Sequence, residues 1–302
     1  IEGRGLNASN VNQFELITRS AKINAELHAQ QLAVVTGRNE VDASTLATKV
    51  KAPNASQAPQ LAIDSSALGG MYAGAIRLVG TEAGVGVKLA GDVAASAGDL
   101  QIDASGKLTL ARTEATQGNV KLNAREVELT QAVYAGKDAT VVAAGDLDMV
   151  NGLAAARDVH VQGQRITNRS NLNAGLKSDG STDSSSHLQI QGGSLTNQGK
   201  INAQGTLTTD LQQFDNRNAE LVAGETATLK AVTLDNRGGK VIGQQALNVQ
   251  GNSLDNRGGT VASNQSLTVT MGDAVDNIPG VPGIGAKTAA ALLATHRPSA
   301  ES

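Results

Sequence analysis

The sequence has no cysteine, no tryptophan and very few other aromatic residues. Its 302 residues include two Tyr and two Phe. Without Cys the chain can form neither disulfides nor thiolate metal sites. Aromatic side chains usually fill much of a globular core, because each of them buries a large area. Their scarcity predicts a narrow core of aliphatic residues and Ala, which is the kind of core that a solenoid offers.

Strong net charge, long apolar runs and catalytic motifs are also lacking. The net charge of −3 at pH 7 gives no general reason to expect nucleic acid or an anionic membrane as a partner. No apolar run approaches the roughly 18 residues of a membrane span. The four His, at positions 28, 160, 187 and 296, share no motif spacing. No nucleophile–base pair is indicated, so we expect neither enzymatic activity nor a cofactor.

The chain begins with Ile1-Glu2-Gly3-Arg4 instead of Met, and no signal peptide is recognisable. We therefore interpret the sequence as an excised fragment of a longer protein. For these four residues alone, a protease-recognition tag is the alternative interpretation.

What the sequence does contain is a repeat of about 20 residues. An apolar residue, a polar residue and Asn recur together, with Asn197, Asn216, Asn236 and Asn256 separated by 19, 20 and 20 residues. A turn and two short alternating apolar runs follow each triplet, which is typical of short strands. One such unit cannot bury its own apolar face and must stack on its neighbours. The pattern predicts a solenoid.

The period extends over most of the chain. Gly-Asp-Leu at 98–100 recurs as Gly-Asn-Val at 118–120, and related steps follow at 136 and 157. Residues 52–60, which contain two Pro, are expected to leave the coil as a loop, and the polar segment 177–186 is expected to be an insertion. About 270 residues at about 20 per coil predict about 13 coils in a rod roughly 60 Å long. The predicted fold class is all-β, a parallel β-helix.

The repeat places a set of Asn residues at one corner of the coils. Each of them could satisfy backbone groups of a turn and bond to the Asn above and below. Glycines at 238–239 and 258–259 would supply positive φ at the same corner. The predicted structural ladder consists of Asn168, Asn197, Asn216, Asn236 and Asn256.

Asp and Arg residues flank the later Asn residues as two charged columns: Asp215, Asp235 and Asp255, and Arg217, Arg237 and Arg257. The columns could bind an acidic glycan or an ion. The favoured interpretation is structural, because an Asp column beside an Arg column cancels much of the repulsion within each. A glycan lyase or hydrolase would need clustered carboxylates in a groove, and none is indicated.

Several unbroken motifs in the first 90 residues resemble a known family. They are Gly5-Leu6-Asn7-Ala8-Ser9, Ala21-Lys22-Ile23-Asn24-Ala25, Val35-Thr36-Gly37-Arg38-Asn39, residues 67–74, residues 76–82 and residues 84–87. In this order they resemble filamentous haemagglutinin-type proteins, the exported partners of two-partner secretion. These include adhesins and the stick proteins of contact-dependent growth inhibition. The resemblance covers residues 1 to about 270.

The resemblance implies a right-handed parallel β-helix that is exported through an outer-membrane transporter. It implies a secreted or cell-surface location and a receptor on a host or neighbouring cell. Residues 1–92 are similar to the rear part of the secretion domain, whose Asn-Pro-Asn-Gly-type front is missing from the sequence, and residues 93–270 to haemagglutinin-type repeats. The expected function is a structural shaft fragment of a secreted adhesin or contact-dependent inhibition stick protein.

The tail, residues 271–302, follows a different pattern. Three of the five Pro lie between positions 279 and 298, and Gly283-Ile284-Gly285 precedes an Ala- and Leu-rich run. Strong helix formers predict a helix over 287–295 that ends before Pro298. The segment resembles the helix-hairpin-helix of the 5′-nuclease domain of DNA polymerase I and flap endonucleases.

That second resemblance implies phosphate contacts by Gly283, Gly285 and Lys287, and second-metal carboxylates at Asp273 and Asp276. The other carboxylates of the nuclease are missing, so we interpret this pair as an incomplete remnant and expect no metal site. We interpret the tail as a fusion, a misjoined reading frame or an engineered appendage; a natural tail is the alternative. Weak DNA contact through the tail is the alternative function.

Overall fold

The computed structural model describes residues 1–52 and 57–272. Alternation of apolar and polar residues produces 31 β-strands and no helix in this part of the chain. None of its elements is therefore a helix of the length and apolarity that a membrane span requires. The helix predicted over 287–295 lies outside the described residues.

One side of the molecule, face A, is a sheet of 12 parallel strands with one strand from each successive coil. In chain order these strands are β1 (Leu6–Ala8), β4 (Leu27–Ala29), β9 (Met71–Ala73), β12 (Val93–Ala95), β14 (Thr113–Ala115), β16 (Val133–Ala135), β19 (Leu153–Ala155), β21 (Asn171–Ala174), β23 (Lys200–Ala203), β25 (Glu220–Ala223), β27 (Lys240–Gly243) and β30 (Thr260–Ser263).

A second sheet, of 17 strands, forms the other two sides. Its strands are β2 (Phe14–Thr18), β3 (Ala21–Ile23), β5 (Gln31–Thr36), β8 (Leu61–Ser65), β10 (Ala75–Gly80), β11 (Gly86–Leu89), β13 (Leu100–Leu110), β15 (Val120–Leu129), β17 (Ala139–Ala143), β18 (Asp146–Met149), β20 (Val159–Asn168), β22 (His187–Asn197), β24 (Thr206–Asp215), β26 (Thr226–Asp235), β28 (Ala246–Gly251), β29 (Ser253–Asp255) and β31 (Ser266–Met271). Long strands belong to both sides: β15 pairs with β17 through its first half and with β18 through its second.

The register of face A confirms the predicted parallel solenoid. Val93, Thr113, Val133 and Leu153 are consecutive partners, each 20 residues after the last. Two steps are longer. The step from Leu27 to Met71 contains an excursion, and the step from β21 to β23 contains the polar segment 177–186. The same rung spacing continues on both sides of each insertion, so the coils form one stack.

The chain leaves the coil earlier than the sequence analysis predicted. Alternation up to residue 50 was interpreted as coil strands, but β6 (Asn39–Val41) and β7 (Thr48–Val50) form an antiparallel hairpin. Asp42 caps its tip, since its Oδ1 accepts hydrogen bonds from the N–H and hydroxyl groups of Ser44 and Thr45 at 2.7–3.0 Å. These bonds hold the pKa of Asp42 far below its usual range. Three-residue alternation cannot distinguish this hairpin from two coil strands.

The core is a narrow column of Leu, Ile, Val and Ala side chains that runs along the stack. Phe214 is buried in it at 1% exposure, and Phe14 packs against it while remaining partly exposed. Both Tyr residues are half-buried, at outward positions of face A. Aliphatic residues fill the lumen because each coil contributes only a few inward positions.

Candidate functional site: an asparagine ladder at one corner

The asparagine ladder consists of Asn168, Asn197, Asn216, Asn236 and Asn256. It lies at the corner where strands of the 17-stranded sheet end. Register pairs Asn168 with Asn197, and the pairing of Asp215 with Asp235 and of Asp235 with Asp255 brings the later members into the same column. The first four side chains are at most 2% exposed, and Asn256 is half-buried.

Consecutive side chains of the ladder hydrogen bond in one direction. Each Nδ2 donates to the Oδ1 of the next Asn along the chain, at 2.9, 2.8, 2.7 and 2.6 Å from first to last. Each of these Nδ2 atoms also donates to a backbone carbonyl of the next coil, at Lys200, Glu220, Lys240 and Thr260. The column thereby satisfies polar groups that burial would otherwise leave unpaired.

The ladder begins at Asn168 because the preceding rung carries Met149 at that position. Asn168 Oδ1 is buried and has no hydrogen-bond partner among the described residues. The arrangement therefore has a polarity, with an acceptor open at its first rung and donors aimed toward later coils.

Glycine shapes the turn that follows each later Asn. The carbonyl of Asn236 accepts a hydrogen bond from Gly239 N at 3.0 Å, which closes a four-residue turn. Gly238 has a φ of 65°, which L side chains adopt rarely. A Cβ at Gly239 would overlap the carbonyl oxygen of Asn216, so this position needs glycine for close approach of the backbone.

The Asp and Arg columns bind each other. Within one coil, Arg217 Nη2 and Nε donate to the two carboxylate oxygens of Asp215 at 2.6 and 2.9 Å, and Asp235–Arg237 and Asp255–Arg257 repeat this geometry. Arg217 Nε also lies 3.6 Å from Asp235 Oδ2 in the next coil. No cluster of three potential metal ligands occurs in the described ranges. The columns are mutually neutralised, which leaves no free charged row for an acidic glycan.

These ion pairs predict how the corner titrates. The hydrogen bond from Arg237 lowers the pKa of Asp235 below its ordinary value of 3.8. The pair therefore stabilises the fold above pH 3.8, and this contribution is lost as the pH falls through the lowered pKa of the folded state. Because the groups are exposed, the contribution to stability is small.

We expect Arg237→Gln to raise the pKa of Asp235 toward 3.8 in a carboxyl-carbon NMR titration. Arg125→Gln, which removes an exposed Arg from another strand, should leave that pKa unchanged. A titration midpoint of Asp235 at or above 3.8 in the parent chain would contradict the geometry described here.

The other predicted candidates are scattered or lie elsewhere. His160 faces outward on β20, where its Nδ1 lies 3.0 Å from Gln189 Oε1. His187 Nδ1 lies 2.7 Å from Thr206 Oγ1, and His28 is on face A. The structure therefore does not bring the described His residues together. Gly283, Gly285, Lys287, Asp273 and Asp276 lie outside the described residues.

One surface cluster was missed by the sequence analysis. His28 and Tyr72 stack on the outside of face A, with ring centroids 5.1 Å apart. The available signal was the shared pattern of Leu27-His28-Ala29 and Met71-Tyr72-Ala73, an inward apolar residue, an outward ring and Ala. The 44-residue step between the two strands hid it, because repeats of 20 residues were the guide.

A parallel β-solenoid with an internal polar ladder is the class of protein that this geometry defines. Comparison with protein families places the chain within that class. Residues 1–110 match the TPS secretion domain, and residues 203–277 match the haemagglutinin repeat. The resemblance to filamentous haemagglutinin-type two-partner secretion proteins is confirmed.

Curated relatives are contact-dependent inhibition proteins. A tRNA nuclease CdiA of Yersinia mollaretii is 37% identical over 198 residues, which is 65% of this chain and 6% of that protein. A tRNA nuclease CdiA-2 of Burkholderia pseudomallei is 50% identical over 110 residues, 36% of this chain and 4% of the relative. A 16S rRNA endonuclease CdiA of Enterobacter cloacae is 43% identical over 141 residues, 47% of this chain and 4% of the relative. The chain thus spans a small fraction of these relatives. No solved structure matches it.

Proposed function

We propose that this chain is a structural shaft segment of a secreted, surface-exposed two-partner secretion exoprotein, an adhesin or a contact-dependent inhibition stick protein. Residues 1–92 are the rear of its secretion domain, residues 93–270 are shaft repeats, and residues 271–302 are a separate tail. The observation that carries the proposal is continuity. Face A runs without a change of register type from the region that matches the secretion domain into the region that matches the haemagglutinin repeat.

A stack of coils suits a shaft for a physical reason. Every coil pairs through backbone hydrogen bonds with the coil on each side, so length is added without a new core or a new interface. The asparagine ladder adds buried hydrogen bonds along the same axis, which hold successive corners in register. The rod keeps its shape without a partner and can hold other modules at a distance.

The proposed partners of the whole protein are an outer-membrane transporter and a receptor on a host or neighbouring cell. The match to the secretion domain supports the transporter. The nuclease activities in the relatives' names are those of the relatives. For this segment we propose a structural role without catalysis, since its strongest charged columns are occupied in binding each other.

A segment exchange tests the proposal. This chain would replace the aligned 198-residue segment of the Yersinia mollaretii relative, and secretion would be followed by protease accessibility at the cell surface. We expect the exchanged protein to reach the surface with its transporter, because the replacement continues a solenoid of the same kind. The control is the same exchange with Asn216→Asp, which breaks the ladder. An exchanged protein that folds when purified but stays inside the cell would refute the proposed role.

A further inference from the structure

Both tyrosines of the chain lie on one outward column of face A. Register places Tyr72 beside His28 on one side and Ala94 on the other, followed by Glu114 and then Tyr134. We call these five residues the tyrosine strip. All five side chains are partly or well exposed, so packing of the core does not explain why rings occupy these positions in a chain with so few aromatics.

The rings at one end of the strip form a flat surface. His28 and Tyr72 stack with an interplanar angle of 19°. The Tyr72 ring lies over Gly70, where an added Cβ would come within 2.7 Å of it. The ring therefore rests close to the sheet. Ala94 on the next rung is small and leaves an open step between Tyr72 and Glu114.

Carboxylates and one guanidinium border the rings. His28 Nε2 lies 3.0 Å from Glu26 Oε2, and Arg112 lies 3.1 Å from Glu114 and 3.8 Å from Asp92. Burial, together with the negative charges of Asp92 and Glu26, raises the pKa of Tyr72. Three carboxylates against one Arg make the border acidic, which disfavours an anionic ligand.

We propose that the tyrosine strip binds an uncharged glycan chain that lies along the axis of the solenoid. Sugar rings present apolar C–H faces that fit on flat aromatic rings, and their hydroxyls hydrogen bond to carboxylates and guanidinium groups. Tyr72 and Tyr134 are three rungs apart, about 14 Å at the spacing of paired strands, so two ring platforms flank a polar centre at Glu114. This inference gives the proposed surface protein a ligand class, but binding by the purified chain does not depend on export.

The composition of the chain supplies the probe. There is no Trp, and both Tyr are in the strip, so intrinsic Tyr fluorescence reports this surface alone. The full chain would be titrated with neutral oligosaccharides of hexose and N-acetylhexosamine units, and with sulfated or uronic oligosaccharides of equal length. We expect saturable changes with at least one neutral oligosaccharide, no saturation with the anionic set, and little effect of added salt.

Variants complete the test, with binding followed by saturation-transfer NMR so that loss of Tyr does not remove the signal. Tyr72→Ala should weaken binding at least about 10-fold, equivalent to about 1.4 kcal/mol. Val222→Ala, at an outward position of face A remote from the strip, should leave it unchanged, and amide exchange in β9 and β12 confirms that each variant is folded. Absence of saturation by any neutral oligosaccharide, or full binding by a folded Tyr72→Ala, Tyr134→Ala double variant, would overturn the proposal. So would a preference for anionic oligosaccharides, or binding that is confined to cationic peptides and lost in salt.

Discussion

Replacing Asn216 with Ala should destabilise the surrounding coils by about 3 kcal/mol, since each buried polar group left unpaired costs about 1–3 kcal/mol. The side chain is fully buried, and its Nδ2 donates to Asn236 Oδ1 at 2.7 Å and to Lys240 O at 3.1 Å. Its Oδ1 accepts from Asn197 Nδ2 at 2.8 Å. Truncation removes all of these bonds at once and leaves a small cavity.

The isosteric change Asn216→Asp tests the direction of the ladder. It replaces the Nδ2 donor with an oxygen that faces another acceptor, Asn236 Oδ1. Burial without a donor raises the pKa of the new carboxyl above its value in the unfolded chain. The variant should therefore be least stable at neutral pH, and it should regain stability as the pH falls and the protonated carboxyl again donates.

Local amide exchange is the appropriate measurement for both variants, because a stack of coils unfolds in parts. Protection should fall in β24, β25 and β26 and remain high in β13 and β15. Asn202→Ala removes an amide from an outward, half-buried position of face A and should change protection little. Equal loss of protection in Asn216→Ala and Asn202→Ala would show that the ladder contributes nothing special to stability.

Phe214→Ala should be comparably damaging, at about 3–5 kcal/mol for truncation of a buried Phe. The residue is 1% exposed, and its rung partners are Leu195 and Leu234. Removing the ring leaves a cavity in a lumen only a few side chains wide. Because the neighbouring coils carry Leu at the same position, Phe214→Leu should cost less than about 1.5 kcal/mol.

The same exchange experiment separates these two Phe214 variants. The Ala variant should lose protection in β22, β24 and β26, whereas the Leu variant should resemble the parent chain. An Ala variant that is no less protected than the Leu variant would contradict the packing of the lumen described here.

The parts of the fold that repeat were predictable from the sequence. The spacing of Asn197, Asn216, Asn236 and Asn256 predicts one corner, and the structure places all four there, since a residue that recurs once per coil must fall on the same side of the rod. The parallel solenoid of about 20 residues per coil is confirmed for the same reason. Even the 29-residue step from Asn168 was interpretable, because its excess is one polar stretch.

The features that occur once were not predictable in the same way. The β6–β7 hairpin uses short alternating runs that look like those of the coils, and only its antiparallel pairing reveals it. The tyrosine strip depends on two unequal steps, from His28 to Tyr72 and from Tyr72 to Ala94, so no fixed period exposes it. The hydrogen-bond direction of the ladder depends on how each amide is oriented, which residue identity does not specify.

Distances along face A test the central claim, a single parallel stack of coils, most directly. Because the chain has no Cys, spin labels can be attached to pairs of introduced cysteines without interference. Ala94 and Asn202 are five rungs apart, and Ala94 and Ala262 are eight. Pulsed electron paramagnetic resonance on Ala94→Cys, Asn202→Cys and Ala94→Cys, Ala262→Cys should give narrow distributions near about 24 Å and about 38 Å, in proportion to rung number. Broad distributions, or distances that do not grow with rung number, would contradict the solenoid.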